Sequence, residues 1–268
     1  MPVANLAFGN FRWITQLTME DLTRIARWTL LSLTLCTGPL LAQTADDLVA
    51  RCIKALGGAD KINSITTLRR TGTHTGGGGS EAPIVILNKR PSMYRRELTT
   101  QGLTGIMAYD GKTGWKIQPW EGKKDPEPLD EEQLKSVTEE ADFDGPLLNS
   151  RQKGITIEYV GMEPVEGSDA YKLKVNLPDG DTRYYFLDAD EYVPILIEDH
   201  LIVRGEERVY ETSLSDYKEV SGWYIPFATE SNVKGSPEKW KDSYESIRAN
   251  EQIDDSLFAE PAGPARSH

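Results

Sequence analysis

Between Lys89 and Pro119 the chain reads KRPSMYRRELTTQGLTGIMAYDGKTGWKIQP, a run of short alternating segments broken by turn residues. A period of two sends successive side chains to opposite faces, so this region predicts consecutive antiparallel strands. The breaks fall at Arg90-Pro91, Gln101-Gly102 and Asp110-Gly111, which leaves strands over Ser92–Thr100, Thr104–Tyr109 and Gly114–Pro119. No catalytic constellation accompanies them, and the region points to a binding cavity rather than an active site.

The same pattern extends in both directions. Upstream it predicts strands over Thr66–Thr75 and Ala82–Lys89, joined at Gly76–Gly79. Downstream it predicts Ile155–Gly161, Ala170–Leu177, Thr182–Asp188, Val193–Val203, Glu207–Tyr217, Tyr224–Val233 and Lys239–Ala249. Tyr171, Leu173 and Val175 alternate with Lys172 and Lys174, giving one dry and one wet face, and Asp179-Gly180 marks a tight hairpin. A chain with about eleven or twelve such strands curls or closes on itself, so the expected fold is mainly β, an incomplete antiparallel barrel or strongly curved sheet.

Helical periodicity occurs twice. Over Thr44–Gly58, Leu48, Val49, Cys52, Ile53 and Leu56 recur every three or four residues behind a Thr44 cap and before Gly57-Gly58. The second helix follows the charged stretch EGKKDPEPLDEEQ, which interrupts the strands. Asp130 and Gln133 have capping-box spacing, and Leu134, Val137 and Ala141 form a thin apolar stripe. A short acidic helix with so narrow a stripe is expected to lie lightly over the sheet as a lid.

The first 42 residues read as a secretory leader. Arg24 and Arg27 precede an apolar run from Trp28 to Leu41, with cleavage expected after Ala42. Residues before Met19 do not suit such a leader, so translation is expected to begin at Met19. The apolar run is too short for a permanent membrane span, and Cys36 within it lacks the small preceding residue that lipidation needs. Cleavage leaves Cys52 as the single thiol, without an internal disulfide partner and read as a small core residue. The mature domain is expected over residues 43–261, with a frayed tail over 262–268 and a periplasmic or secreted address.

The formal charge is −12, and without the leader's Arg12, Arg24, Arg27, Glu20 and Asp21 it becomes −13. Such a surface repels nucleic acid and anionic bilayers. Gly111-Lys112-Thr113 ends like a phosphate loop, but the required earlier glycine is displaced to Gly105, and Trp115 and Ile117 continue a strand instead of a helix. Asp188, Asp190, Glu191, Glu198 and Asp199 cluster in sequence, yet the sixth position, where a calcium loop needs glycine, is Val193. His74, His200 and His268 stand outside any zinc or nucleophile motif, with His74 read as an exposed strand end. No catalytic residue, metal or cofactor is expected, and a hydrolase is the least favoured class.

Met93, Tyr94, Met107, Tyr109, Trp115 and Trp120 crowd one stretch. Two readings stand: they fill the barrel, or some of them line a cavity for acyl chains.

These segments also resemble a known family. KRP at Lys89–Pro91, YDGKTGW at Tyr109–Trp115 followed by Ile117 and Pro119, RYYFLDADEYVPILIE at Arg183–Glu198, YKEVSGWYIPF at Tyr217–Phe227 and IDDSLFAEP at Ile253–Pro261 are similar to LolA/LolB-type proteins of outer-membrane lipoprotein sorting. The resemblance covers nearly all of 44–261. It implies an incomplete barrel with a helical lid over an apolar cavity, non-enzymatic carriage of lipid or lipoprotein acyl chains, and an arginine, here Arg90, that holds the lid closed. Arg90 also reads simply as a surface residue before a strand-starting proline. The expected cavity lining is Met93, Met107, Tyr109, Trp115, Ile117, Leu134, Val137, Tyr171, Leu173 and Val175. The alternative function is a packed barrel that meets an envelope protein partner without lipid cargo.

Overall fold

The computed structural model describes residues 43–203 and 206–261. The leader, the Met19 start and the tail over 262–268 lie outside the described residues. Among the described residues, no helix is long and apolar enough to cross a membrane.

Among the described residues, thirteen antiparallel strands form one sheet that does not close into a barrel. The first meander comprises β1 (Thr67–Thr75), β2 (Glu81–Lys89), β3 (Met93–Thr100), β4 (Leu103–Tyr109), β5 (Gly114–Gln118) and β6 (Lys123–Pro128). The second comprises β7 (Thr156–Val165), β8 (Ser168–Asn176), β9 (Thr182–Asp188), β10 (Pro194–Val203), β11 (Glu206–Val220), β12 (Trp223–Val233) and β13 (Lys239–Ala249). Pairing of β1 with β13 joins the two meanders. The free edges are therefore β6 and β7, consecutive strands, and the lid helix α3 (Glu131–Ala141) lies in the chain between them.

Strand β6 corrects the expected count. Its sequence KKDPEP was read as an interruption, but it pairs only with β5 at the sheet's edge. An edge strand tolerates prolines because one row of its N–H groups needs no partner, and its charges discourage pairing with another chain.

The local signals act where they were read. Helix α1 (Ala45–Ala55) starts at Thr44, whose hydroxyl accepts from Asp47 N at 3.1 Å, and a short α2 (Ala59–Asn63) follows it. Asp110 Oδ1 accepts from the backbone N–H groups of Lys112 and Thr113, which fixes the β4–β5 hairpin. Asp188 does the same for Asp190 and Glu191 in the β9–β10 turn, and Glu198 and Asp199 alternate to opposite faces.

The lid side of the sheet carries three apolar clusters. Leu48 and Cys52 of α1 pack on Leu173, Val175, Tyr185 and Leu187. Ile62, Ile65 and Leu68 meet Trp223, Ile225, Phe227 and Ile247. Val137 and Ala141 of α3 pack on Ile84, Ile86 and Tyr94. Burying each large side chain contributes about 1.5–3 kcal/mol. The burial of Cys52 raises its thiol to about 12, as suits a packing residue rather than a nucleophile. On the opposite face, the C-terminal segment places Ile253 and Phe258 against Leu87, Val85 and Met93.

Candidate functional site

Helix α3 begins with the expected capping box, Asp130 accepting from Gln133 N at 2.8 Å and Gln133 returning to Asp130 N. It does not rest lightly on the sheet. Val137 is 2 % exposed and Ala141 is fully buried, so the C-terminal half of the narrow stripe is packed onto the first strands, while a cleft of about 370 Å³ lined by Met107, Asp130, Glu132, Gln133 and Ser136 opens at its N-terminal half. Gly114 permits the close approach: a Cβ there would stand 2.6 Å from Leu129 and 3.0 Å from Leu134.

Polar contacts tie the helix to both meanders. On the first, Asn88 donates to the Glu140 carbonyl at 2.8 Å and accepts from Arg70 at 3.0 Å, while Lys116 Nζ donates to Gln133 Oε1 at 3.0 Å. On the second, Lys135 reaches Asp179 at 2.8 Å and Asp181 at 2.5 Å. Glu139 accepts from Arg183 at 2.9 Å, and Arg183 also donates to Asp199. Burial by itself would depress the Arg183 pKa, but Tyr185, Asp199 and Glu139 outweigh it and raise it. Burial likewise pushes the Glu139 carboxyl up, against the pull of Arg183.

Arg90 sits just beyond the lid's C-terminal end. Its Nε donates to the Ile65 carbonyl at 2.8 Å, and Nη2 reaches the Ile62 carbonyl at 3.3 Å and Asp144 Oδ2 at 3.1 Å. The guanidinium also stands 4.7 Å from the centre of the Phe143 ring. Its carbonyl partners thus belong to the segment after α1, and its contacts beyond the end of α3 are with Phe143 and Asp144.

The ten residues expected to line one cavity fall into three places. Met107, Tyr109, Leu134 and Val137 gather at the lid. Tyr171, Leu173 and Val175 lie on the second meander, among the side chains that cover α1. Met93 and Trp115 are on the opposite face, where the Trp115 indole N–H donates to the Phe258 carbonyl at 2.8 Å. Ile117 alternates to the face of Trp115, although it and its cross-strand partner Ile106 also border the cavity described next.

That cavity, of about 340 Å³, lies beside the N-terminal half of α3 rather than under it. Its apolar wall is Leu98, Met107, Trp120 and Trp240, and its polar wall is Arg96, Lys116 and His74. Gly105 forms the floor beneath Trp120, since a Cβ there would fall 1.9 Å from the indole ring. His74 is not an exposed strand end. The β1–β13 register sets it opposite Asp242, with Nδ1 at 2.6 Å from the carboxylate. Arg96 is 3.3 Å from the same nitrogen. Its pKa is raised: burial opposes the charge, but Tyr94, Asp242, Tyr244 and Glu140 outweigh it.

The sequence reading missed this polar wall. The available signal was a cation at a position that alternation assigns to the apolar face, since Arg96 shares its parity with Tyr94 and Leu98 on β3.

No protein-family model and no curated protein matches the sequence. Solved structures do match the fold. A LolA superfamily protein from Nitrosomonas europaea is 14% identical with a TM-score of 0.54, over 81% of this chain and 98% of that one. An outer membrane lipoprotein-sorting protein domain from Vibrio parahaemolyticus is 11% identical with a TM-score of 0.53, over 80% and 95% of the two chains. A DUF1329 family protein from Desulfovibrio piger is 10% identical with a TM-score of 0.54, over 80% and 97%. At such identities the likeness is one of fold, and the fold is the LolA type.

Proposed function

We propose that this chain is a non-enzymatic binder of lipid or lipoprotein acyl chains in the bacterial cell envelope, exported by its leader to the periplasm or beyond. The observation that carries the reading is the cavity walled by Leu98, Met107, Trp120 and Trp240, on β3, β4, the turn after β5 and β13 of a sheet that does not close. The lipoprotein-sorting description of a structural neighbour supports it. Withdrawing an acyl chain from water contributes about 0.8 kcal/mol per methylene, and flexible Met107 and the indole faces adapt to an alkyl chain's varied shape. Release of a long chain then requires movement of α3 or a receiving partner. Mass spectrometry of organic extracts from the purified chain is expected to show a co-purifying lipid, and an apolar fluorescent probe is expected to be taken up. Failure of both excludes a carrier.

A second reading, an envelope protein-interaction module, is favoured by edge strand β7. Val160 and Met162 are 53% and 51% exposed there, next to an unpaired strand edge, which is the kind of surface that accepts an added strand. A stable protein complex lost on Val160→Lys, with no lipid uptake, supports this reading over the first.

A further inference from the structure

We propose that the cavity selects a single-chain anionic amphiphile, an alkyl carboxylate or alkyl phosphate, with its head at Arg96 and Lys116 and its chain along Met107, Trp120 and Trp240. The inference rests on the reading of this cavity as an acyl-chain site and adds the head group to it. In a protein of formal charge −12, this cavity is walled by two fixed cations and by no carboxylate. The acidic groups nearest Arg96 stand behind the wall. Asp242 is 3.8 Å away and also engaged by His74, and Glu140 approaches from α3. Arg70 adds to the cationic side, while Glu127, opposite Lys116 on β6, and Asp130 and Glu132, in the adjoining cleft, are outside the cavity's lining.

Arg96 also has an unmet donor, because its Nε is buried without a hydrogen-bond partner among the described residues. A guanidinium with a spare N–H beside an apolar wall is costly in itself. An oxyanion in the cavity would meet the exposed part of this guanidinium, which is 34% exposed as a side chain, in the geometry that arginine matches to carboxylate and phosphate. The volume of about 340 Å³ is near the lower end of small-molecule sites, about 300–1,000 Å³, which suits one chain rather than several. Lys116 links the head site to the lid, since its Nζ also donates to Gln133 of α3. A head group that draws Lys116 away loosens the lid's N-terminal end.

The test is calorimetric titration of the purified full chain with dodecanoate, dodecyl phosphate, dodecanol and dodecyltrimethylammonium, all below micelle formation. At least one anionic amphiphile is expected to bind about ten-fold or more tightly than the alcohol, with the trimethylammonium weakest. The ratio of anion to alcohol affinity is expected to fall toward one in Arg96→Gln and to fall part of the way in Lys116→Met. The lysine variant carries the test if Arg96→Gln does not fold. A preference for only one anionic head supports the proposal and assigns the head as carboxylate or phosphate. Equal binding of anion and alcohol overturns the head-group inference while the acyl-chain reading stands, as does a preference that persists in both variants. Binding of none of the four removes the acyl-chain reading as well.

Discussion

Asp144 Oδ2 lies 3.1 Å from Arg90 Nη2, so the residue before β3's leading proline is fastened to the segment that leaves the lid helix. The Asp144 side chain is only 3 % exposed and has Lys153 at 3.5 Å as its other cation. The two cations and a bond from Asp142 hold its carboxyl below the usual range although burial acts the other way. One guanidinium thereby joins three stretches of chain: the turn into β3, the segment after α1 and the exit from α3.

Arg90→Leu is expected to leave the sheet intact and to weaken the lid. The change unpairs the Ile65 carbonyl and one side of Asp144, at about 1–3 kcal/mol. Urea unfolding gives the stability loss, and stopped-flow release of a bound apolar probe is expected to be faster than in the native chain. An unchanged off-rate removes Arg90 from control of the lid.

Arg183→Met is expected to cost about 3 kcal/mol, because it leaves the half-buried carboxylates of Glu139 and Asp199 facing each other without their shared cation. Since Glu139 is on α3, amide hydrogen exchange of 131–141 should accelerate more than that of β1 and β2. Uniform acceleration of all strands would show that the network supports the whole sheet instead of docking the lid.

Gly105→Ala is expected to displace Trp120 while changing global stability by no more than about 1 kcal/mol. The new Cβ overlaps the indole, and Trp120 is 44% exposed, so the ring is free to swing outward. A shift in tryptophan emission with reduced probe uptake is the expected result. Unaltered uptake would place the bound chain away from this end of the sheet.

Asp142 contributes a pH dependence opposite in sign to that of most paired carboxylates. Burial and its bond with Asp144 lift its carboxyl from 3.8 to about 6, against the pull of Lys153. Between those values the folded chain holds a proton that the unfolded chain has released. The contribution to stability is therefore full below about 4 and is lost as pH rises through about 6. Denaturation midpoints of the native chain and Asp142→Asn, measured across that window, should converge on a flatter profile for the variant.

Much of the fold was legible because its signals are local. Thr44, the Asp130/Gln133 box, Asp110-Gly111 and Asp179-Gly180 each act through contacts within a few residues, and they stand where the sequence placed them. Alternation located twelve of the thirteen strands. Strand β6 escaped because its prolines and charges resemble a loop, and only its position at an edge makes them acceptable.

The candidate site was far less legible. Met93 and Trp115 read as cavity residues because alternation separates two faces without saying what covers each. The covering element for theirs is the C-terminal segment at Ile253–Phe258, well over a hundred residues away in the chain. Arg183 gave no sign of its tie to α3, and His74 gave none of Asp242, since the first pair joins a strand to a helix and the second joins β1 to β13, each from distant parts of the sequence.

The sequence by itself determined the class of fold, the ends of its helices and the turns between most of its strands, because caps, hairpins and period-two patterning are decided by neighbouring residues. The tertiary structure decided which face is covered by the lid and which by the C-terminal segment. It also decided that Arg96 and Lys116 share a wall with Trp120 and Trp240. Those placements depend on the register of β1 against β13 and on the docking of α3 across the gap between β6 and β7, where packing and charge from separate segments must be satisfied together.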